Sequence, residues 1–392
     1  MQSRAQIDQL LRQKSEAVEI PGVVAVAASG KDVIYQGAFG KRDLSKPDNM
    51  TTDSVFWIAS MTKAITTAAA MQLVEQGKLD LDAPIGKLLP DLAAPQVLEG
   101  FDAKGEAKLR PAKGAITLRQ LMTHTAGFCY DIWNGEMLKY MEKSGIPALS
   151  SCKEEALKIP LMYDPGTRWG YGASIDFVGK AVEAVSGQNL GVYLREHVLR
   201  PLGMKDTDFV IGPDQKARLV SVHARKEDGA LEPMEFGIPQ EPEFFMGGGG
   251  LYGTAGDYIA FLQMLLHDGK VGGVQFLRPE TIADMSKNNM GDIKIAFLKT
   301  AIPSASPDVD LPQMFPGDDL KWGLSFLINM KQGPAGRSAG TLSWCGLANT
   351  YFWVDPAKRV AGVICTQILP FVDPRVMDLY TKFESGVYQA VS

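Results

Sequence analysis

The chain has 392 residues, of which 45% are hydrophobic and 22% charged, as in soluble globular proteins with a sizeable core. Its formal net charge is −5 and no basic cluster stands out, so we expect neither a nucleic-acid partner nor an anionic membrane surface. The first 20 residues lack the apolar core of a secretory signal, and the longest mostly apolar run, 360–372, is too short to cross a bilayer. These features predict a cytoplasmic protein.

The predicted elements begin with an amphipathic helix over the first 20 residues. A hairpin follows in "GVVAVAASGKDVIYQGAFG", with its turn at Ser29 and Gly30. The next segment, "SVFWIASMTKAITTAAAMQLVEQGKLDLDAP", predicts a helix that Gly77 ends, and its Ala-rich stretch indicates close packing against neighbours.

Helical patterns alternate with polar loops over 84–236. The clearest are "TLRQLMTHTAGF", the segment 136–159 and "DFVGKAVEAVSGQNLGVYLREHVLRPLG". Thr254 begins a further helix, with Asp257 at the capping-box spacing. The segment 288–319 is rich in Pro, Gly and Asp without a clean period, which predicts a long surface loop.

The carboxy-terminal part returns to strands, in "WGLSFLINM", "TLSWCGLANTYFWVD" and "RVAGVICTQI", before a last helix that starts at Asp373. Strands at both ends with helices between them predict an α+β fold whose antiparallel sheet is formed from both termini and flanked by helices. We expect residues 1–85 and 240–392 to form this domain and 86–239 to form an inserted, mainly helical domain.

Two short motifs match the sequence patterns of known sites but lack the flanking elements that those sites require. "GRSAG" (336–340) matches the GxSxG elbow of α/β-hydrolases, yet a polar loop precedes it and no histidine lies beyond His267. "GGGLYG" (248–253) matches GxGxxG, yet a proline-broken stretch replaces the required strand. We interpret these glycines as permitting close backbone packing near a cleft.

The histidines and cysteines do not indicate a metal site or a disulfide framework. The four cysteines, Cys129, Cys152, Cys345 and Cys365, show no CxxC spacing and suit reduced thiols. The chain has four histidines and no HExxH pattern, so we expect no metal and no cofactor. His124 in "LMTHTAGF" is predicted to be structural, bonded to backbone at a helix end.

Ser60 and Lys63 in "SMTK" form the strongest catalytic candidate. Residues three apart share one helix face, so Lys63 Nζ can reach Ser60 Oγ and accept its proton. Apolar neighbours lower the pKa of a lysine, and a helix N-terminus favours a developing alkoxide. By itself SxxK is a weak signal, because a solvated lysine in a first helical turn gives the same spacing.

The surrounding segments make the pattern specific. "LRQLMTHTAGF", "DPGTRWGYGASIDFVGKAVEAVSG", "PLGMKDTDF", "GGGGLYGTAGDYIAFLQMLL" and "AGTLSWCGLANTYFWVDP" follow in order. Together with "SMTK" they resemble the serine β-lactamase-like family across nearly the whole chain. Within it the likeness is greatest to the family VIII carboxylesterases, relatives of class C β-lactamases and D-Ala-D-Ala carboxypeptidases. The resemblance implies a β-lactamase-like fold.

The resemblance also implies roles for individual residues. Ser60 would be the nucleophile, Lys63 the proton carrier and Tyr171 of "WGYGAS" the general base, with its phenolate favoured by the cationic lysine. The oxyanion hole would combine the amides of Ser60 and Leu347. We also expect an apolar substrate pocket, lined by Trp344 with Gly346 and some of Phe128, Tyr130, Trp133, Phe244, Phe245 and Phe315.

Two departures from the family pattern bear on the substrate. Lactamases and peptidases have Lys-Thr-Gly in the third box, whose cation binds a carboxylate, whereas this chain has Trp344, Cys345 and Gly346. The second box is Tyr-x-Asn in lactamases, and position 173 here is alanine. Both losses favour neutral esters over anionic lactams and peptide C-termini.

These inferences predict a serine carboxylesterase that hydrolyses small carboxylic esters through a Ser60 acyl-enzyme. Within the same machinery the alternatives are an acyltransferase and a weak β-lactamase or D-amino peptidase. A catalytically silent binding module of the same fold is the alternative from another class. The natural ester, its acyl length and stereochemistry, the oligomeric state and the position of the 288–319 loop are left open by the sequence.

Overall fold

A computed structural model describes residues 2–30, 32–315 and 319–391. The α-helices are α1 (Gln2–Glu16), α2 (Thr62–Glu75), α3 (Leu118–Met122), α4 (Gly135–Ser144), α5 (Ser174–Ser186), α6 (Leu190–Leu194), α7 (Pro213–Ala217), α8 (Ala255–Leu266), α9 (Pro279–Met285), α10 (Leu311–Met314) and α11 (Pro374–Val391). The strands are β1 (Gly22–Ser29), β2 (Asp32–Gly40), β3 (Phe56–Trp57), β4 (Gln96–Phe101), β5 (Ala107–Pro111), β6 (His223–Arg225), β7 (Leu231–Pro233), β8 (Tyr252–Gly253), β9 (Lys270–Val271), β10 (Val274–Gln275), β11 (Leu320–Trp322), β12 (Leu327–Asn329), β13 (Leu342–Gly346), β14 (Thr350–Asp355), β15 (Val360–Cys365) and β16 (Ile368–Leu369).

The central element is a seven-stranded antiparallel sheet in the order β11-β12-β13-β14-β15-β1-β2. β1 is buried on both faces because its sequence, GVVAVAAS, is apolar throughout, and it pairs with β15 from Val24↔Cys365 to Ser29↔Val360. Helix α8 packs on β1 and β15, while α1 and α11 pack on each other and on the sheet. The predicted α+β fold, with its sheet formed from both ends of the chain, is confirmed.

The segment 86–239, proposed as an inserted helical domain, supplies α3 to α7 and the short hairpins β4–β5 and β6–β7. The helix predicted over 136–159 is shorter than expected. α4 ends at Gly145, whose left-handed φ of 67° stops it, and the chain continues in short 3₁₀ turns. Likewise Gly187 (φ 71°) separates α5 from α6, which then continues as a π-helical turn, Arg195–Leu199.

The carboxy-terminal strand predicted from "WGLSFLINM" is two strands. β11 and β12 form a hairpin with a tight turn, in which the Gly323 amide donates to Phe326 O over 2.8 Å and Ser325 has a φ of 67°. The 288–319 loop contains α10 and an isolated bridge between Leu298 and Val309, and its residues 316–318 lie outside the described part of the chain.

None of the helices in the described ranges is both long and apolar enough to cross a membrane. All four cysteines are free thiols. The predicted cytoplasmic location stays a prediction.

Candidate active site

Ser60 lies where a short strand turns into the buried helix α2. β3 pairs with β8, and a single 3₁₀ turn, Ala59–Met61, connects β3 to α2. Ala59 has a φ of 45°, a left-handed conformation that an alanine adopts only at a cost of order 1–3 kcal/mol. This turn leaves Ser60 partly exposed while Ala59 and Met61 are buried.

Gly346 explains how the sheet holds that turn in place. A Cβ at this position would lie 2.5 Å from Ile58 O and 2.3 Å from Thr350 Oγ1, so only glycine lets β13 approach the segment before Ser60. Gly346 was expected to bind substrate. The structure corrects this, because Gly346 is buried against backbone and β14 rather than facing the cavities at Ser60.

Lys63 is fully buried and makes three hydrogen bonds. Its Nζ donates to Ser60 Oγ over 3.0 Å, to Tyr130 Oη over 3.1 Å and to Gly248 O over 2.6 Å. Burial lowers the pKa of Lys63, and the negative charge of Asp176 partly opposes that shift. A lysine in this setting can lose its proton near neutral pH and then act as the base for Ser60.

Tyr171 completes the group that the sequence predicted. Its Oη accepts a hydrogen bond from Trp344 Nε1 over 2.9 Å and is hydrogen-bonded to the Ser60 side chain, while Lys63 Nζ lies 4.8 Å from the centre of its ring. Burial raises the pKa of Tyr171 well beyond its usual value, and the Ser60 and Trp344 hydrogen bonds only partly counter this. This shift favours a neutral Tyr171 phenol in the free enzyme, against the phenolate that the resemblance implied.

Asp176 is a member of the site that the sequence argument missed. It is buried in the first turn of α5, and its Oδ1 accepts the Gly248 amide over 2.9 Å. The Gly248 carbonyl in turn accepts from Lys63, so one glycine links the carboxylate to the lysine. The sequence did contain a signal for this residue. Asp176 is an acidic residue on the apolar face of "ASIDFVGKAV", and a charge that is buried there needs a partner.

Tyr130 was named only as a pocket aromatic, and the structure gives it a polar contact as well. It lies in the stretch after α3, its backbone amide donates to Tyr171 O over 2.9 Å, and its hydroxyl accepts from Lys63. The two tyrosine rings meet edge to face, with centroids 5.3 Å apart. Tyr130 therefore contacts both Lys63 and Tyr171.

Two cavities meet at Ser60 and share Trp133 and Leu347 in their walls. The smaller, about 20 Å³, is closed by Tyr171, Trp344, Cys345, Leu298, Leu311 and Phe371. The larger, about 250 Å³, is lined mainly by apolar and aromatic side chains. Part of the 288–319 loop covers this site, since Leu298, Ile302 and Leu311 all belong to it.

Trp344 and Tyr130 thus line the site as expected, and Leu347 follows β13 directly beside Ser60. Phe128 and Phe245 do not, which corrects two further expectations. Phe128 stacks on Phe177 with centroids 4.6 Å apart and lines a separate cavity of about 890 Å³. The Phe245 ring packs on Gly191, which has no side chain to occupy that space.

His124 is structural, but not in the way predicted. It is fully buried after α3 with a φ of 56°, and its ring packs against Tyr171 with centroids 4.8 Å apart. Neither ring nitrogen has a hydrogen-bond partner among the described residues. The described residues also contain no group of three or more His, Cys, Asp or Glu side chains placed to hold a metal ion.

The motifs "GRSAG" and "GGGLYG", which match the patterns of known sites, have structural roles. In "GRSAG" the buried residue is Arg337, which is paired with Glu384 and Tyr380 of α11. In the glycine run, a Cβ on Gly248 would lie 2.7 Å from Asp176 Oδ2, so the absence of a side chain there allows the close packing that we predicted.

Ser60, Lys63 and Tyr171 thus come together within this fold. The family model described as "Beta-lactamase" matches residues 7–386. The chain belongs to this beta-lactamase family and has its fold.

Its relatives include both transferases and hydrolases. The ML-236A carboxylate methylbutanoyltransferase mlcH of Penicillium citrinum is 32% identical over 387 residues, covering 95% of this chain and 91% of the relative. The lovastatin esterase of Penicillium rubens is 30% identical over 387 residues, covering 95% of this chain and 96% of the relative.

Solved structures agree. Unliganded simvastatin synthase (LovD) from Aspergillus terreus has a TM-score of 0.83 and 30% identity, covering 100% of this chain and 99% of that one. EstCE1, "a hydrolase with promiscuous acyltransferase activity", has a TM-score of 0.78 at 24% identity over 99% of each chain, which supports the fold alone. The protein is thus a serine enzyme of the hydrolase and acyltransferase type.

Proposed function

We propose that the protein transfers an acyl group from an ester to Ser60 and then to an alcohol or to water, with the alcohol preferred. The observation that carries the proposal is the 3.0 Å contact between Lys63 Nζ and Ser60 Oγ inside a buried, apolar setting. This revises the carboxylesterase that the sequence alone favoured, and it agrees with relatives that are named as acyltransferases.

The protons can be followed through one closed cycle. Neutral Lys63 accepts the Ser60 proton as Oγ bonds to the ester carbonyl carbon, and the amides of Ser60 and Leu347 are proposed to hold the oxyanion. As the ester C–O bond breaks, the Tyr171 hydroxyl gives its proton to the leaving alcohol. The resulting phenolate is stabilised by the Trp344 N–H and by the protonated Lys63 beneath its ring.

Deacylation reverses these transfers. The acceptor alcohol or water gives its proton to the Tyr171 phenolate and attacks the acyl carbon, and Lys63 returns its proton to Ser60 as the Oγ–acyl bond breaks. Lys63 and Tyr171 then have their initial protonation states, so no external acid or base is consumed.

The cavities support transfer to an alcohol. The larger one has walls formed mainly by rings and aliphatic side chains, an environment that disfavours isolated water molecules and favours an alkyl alcohol. The third-box position holds the buried Trp344 instead of a cation, so the site offers no anchor there for a carboxylate. We therefore expect turnover of neutral esters to exceed that of the anionic lactam nitrocefin by a wide margin.

The test is the partition of one acyl group between two acceptors. The enzyme is given p-nitrophenyl butyrate with and without n-butanol, and butyric acid and butyl butyrate are measured by gas chromatography. We expect butyl butyrate to dominate at modest butanol concentrations. Butyric acid as the sole product would refute the transferase part and leave the esterase.

Two serine variants make the test specific. Ser60→Ala should abolish both products, whereas Ser338→Ala, in the "GRSAG" motif, should leave both unchanged. Turnover that survives Ser60→Ala would refute the acyl-enzyme. An absence of product and of covalent labelling by a serine-reactive phosphonate in the wild type would instead support a binding module.

A further inference from the structure

The larger cavity beside Ser60 has an unusual wall. Of the described residues that line it, Asp131 is the one acidic or basic side chain. Four aromatic rings lie in the same wall, from Trp57, Tyr130, Trp133 and Phe236. The remainder is mostly aliphatic or glycine, with Ser60 and Ser150 as the hydroxyl-bearing exceptions.

The N–H groups of the two indoles that line this cavity already have partners. Trp57 Nε1 donates to Gly249 O over 2.7 Å, and Trp133 Nε1 donates to Ser306 Oγ over 2.9 Å. Phe236 extends this surface by packing on Trp57, with ring centroids 4.6 Å apart. Neither indole N–H is therefore free to donate a hydrogen bond to a ligand, and the two tryptophans offer their rings as the remaining contact surface.

The positive charge of Lys63 does not cancel that character. Lys63 is not among the residues that line the cavity, and its Nζ is occupied by Tyr130 Oη, Gly248 O and Ser60 Oγ. When Lys63 is protonated, the buried Asp176 offsets its charge. Asp131 has no ion-pair partner among the basic side chains of the described residues, and burial raises the pKa of its carboxyl.

Aromatic faces attract cations, and a nearby carboxylate adds to that attraction as desolvation increases. Building on the proposed acyl transfer, we propose that the larger cavity binds an organic cation, so that the preferred ester or acceptor alcohol carries a tertiary or quaternary ammonium group beside Asp131. The chemistry at Ser60 is unchanged, because the charged group belongs to the alcohol part and takes no part in bond making.

An isosteric pair of esters tests this directly. Choline butyrate and 3,3-dimethylbutyl butyrate differ in one atom, a quaternary nitrogen in place of a carbon, and the butyric acid released from each can be titrated. We expect kcat/KM for the choline ester to be higher by about tenfold. Attraction of the ammonium group to a carboxylate and to several aromatic rings at a partly desolvated site is of that size. An equal or lower value for the choline ester would overturn the proposal.

Asp131→Asn should remove most of this preference, measured as the ratio of kcat/KM for the choline ester to kcat/KM for the neutral ester on the same variant. Asp32→Asn removes the same charge from the exposed first residue of β2 and should change kcat/KM for neither ester. If Asp131→Asn keeps the full preference, the carboxylate has no part in it and the proposal fails.

A binding measurement separates this inference from the proposed function. Calorimetric titration of Ser60→Ala with choline and with 3,3-dimethylbutanol requires neither turnover nor a folded Asp131 variant. Tighter binding of choline would support the cation site even if acyl transfer were refuted. Equal or weaker binding of choline would overturn the cation site while the acyl-transfer proposal stood.

Discussion

Trp344 donates its indole N–H to Tyr171 Oη over 2.9 Å, which joins strand β13 to the tyrosine beside Ser60. The contact does two things at once. It fixes the Tyr171 oxygen so that the remaining phenol proton can point to Ser60, and it stabilises the negative charge that forms when that proton leaves. Trp344, which occupies the position where lactamases have a carboxylate-binding lysine, therefore also positions Tyr171 as the proton donor.

Replacing this donor should slow chemistry more than binding. In Trp344→Phe the ring remains but the N–H is lost, and we expect kcat to fall about tenfold, as the loss of one hydrogen bond of about 1.4 kcal/mol predicts. KM should change little. Trp353→Phe is the control, because the buried Trp353 N–H has no partner among the described residues. An unchanged kcat in Trp344→Phe would contradict the positioning role.

The pH profile should follow the Lys63 and Asp176 pair. Because neutral Lys63 is the base, kcat/KM should rise as the pH increases through the lowered pKa of Lys63. The Asp176 carboxylate raises that pKa, so Asp176→Asn should lower it further and move the rising limb to lower pH. Profiles between about pH 5 and pH 9 test this. If Asp176→Asn lowers kcat/KM but its pH profile rises at the same pH as in the wild type, Asp176 has only a structural role.

The other ionisable groups around Lys63 should not complicate that profile. Burial keeps each of them neutral, since it raises the pKa of the phenols and the thiol and lowers the pKa of the imidazole. These groups are Tyr130, Tyr171, Cys345 and His124.

A methyl group at position 346 should damage the site without removing any catalytic group. In Gly346→Ala the new Cβ would meet Ile58 O at 2.5 Å, so the segment before Ser60 has to move. We expect kcat/KM to fall by about 100-fold, since small misplacements of reacting groups are costly. Gly135→Ala is the matched control, because nothing lies within 4 Å of a Cβ there. Normal activity in Gly346→Ala would refute the tight approach.

The buried pair of Arg337 and Glu384 should govern stability rather than catalysis. Both side chains are almost fully buried, so Glu384→Ala leaves a buried cation unpaired, at a cost of about 3–5 kcal/mol in unfolding free energy. Asp378→Ala, which breaks exposed pairs on the same helix, should cost less than about 1 kcal/mol. Urea unfolding measures both. If both variants lose a similarly small amount of unfolding free energy, the buried pair contributes little to stability.

The sequence predicted the parts of this molecule that rest on local periodicity and on motif order. The sheet from both ends, α2 and α8, and the meeting of Ser60 with Lys63 follow from apolar patterns and from spacing on one helix face. Helix ends were less predictable over 136–159, where Gly145 stops α4 although an apolar pattern continues.

The electrostatics of the site could not be predicted, because they depend on burial and on contacts between distant segments. Tyr171 was expected to ionise beside Lys63, yet the lysine lies over its ring and burial dominates the pKa. The placement of Phe128 and Phe245 also depends on tertiary packing, since any aromatic residue near a cleft fits a pocket or a core equally well in the sequence.

The pairing of β1 with β15 has a consequence for how the protein is made. When Ser60, Lys63 and Tyr171 have been translated, the strands that hold them in place have not, because β13 and β15 follow all three residues in the chain. Such distant pairing slows folding. Nascent chains should therefore stay inactive, and in need of protection from aggregation, until β15 has been synthesised.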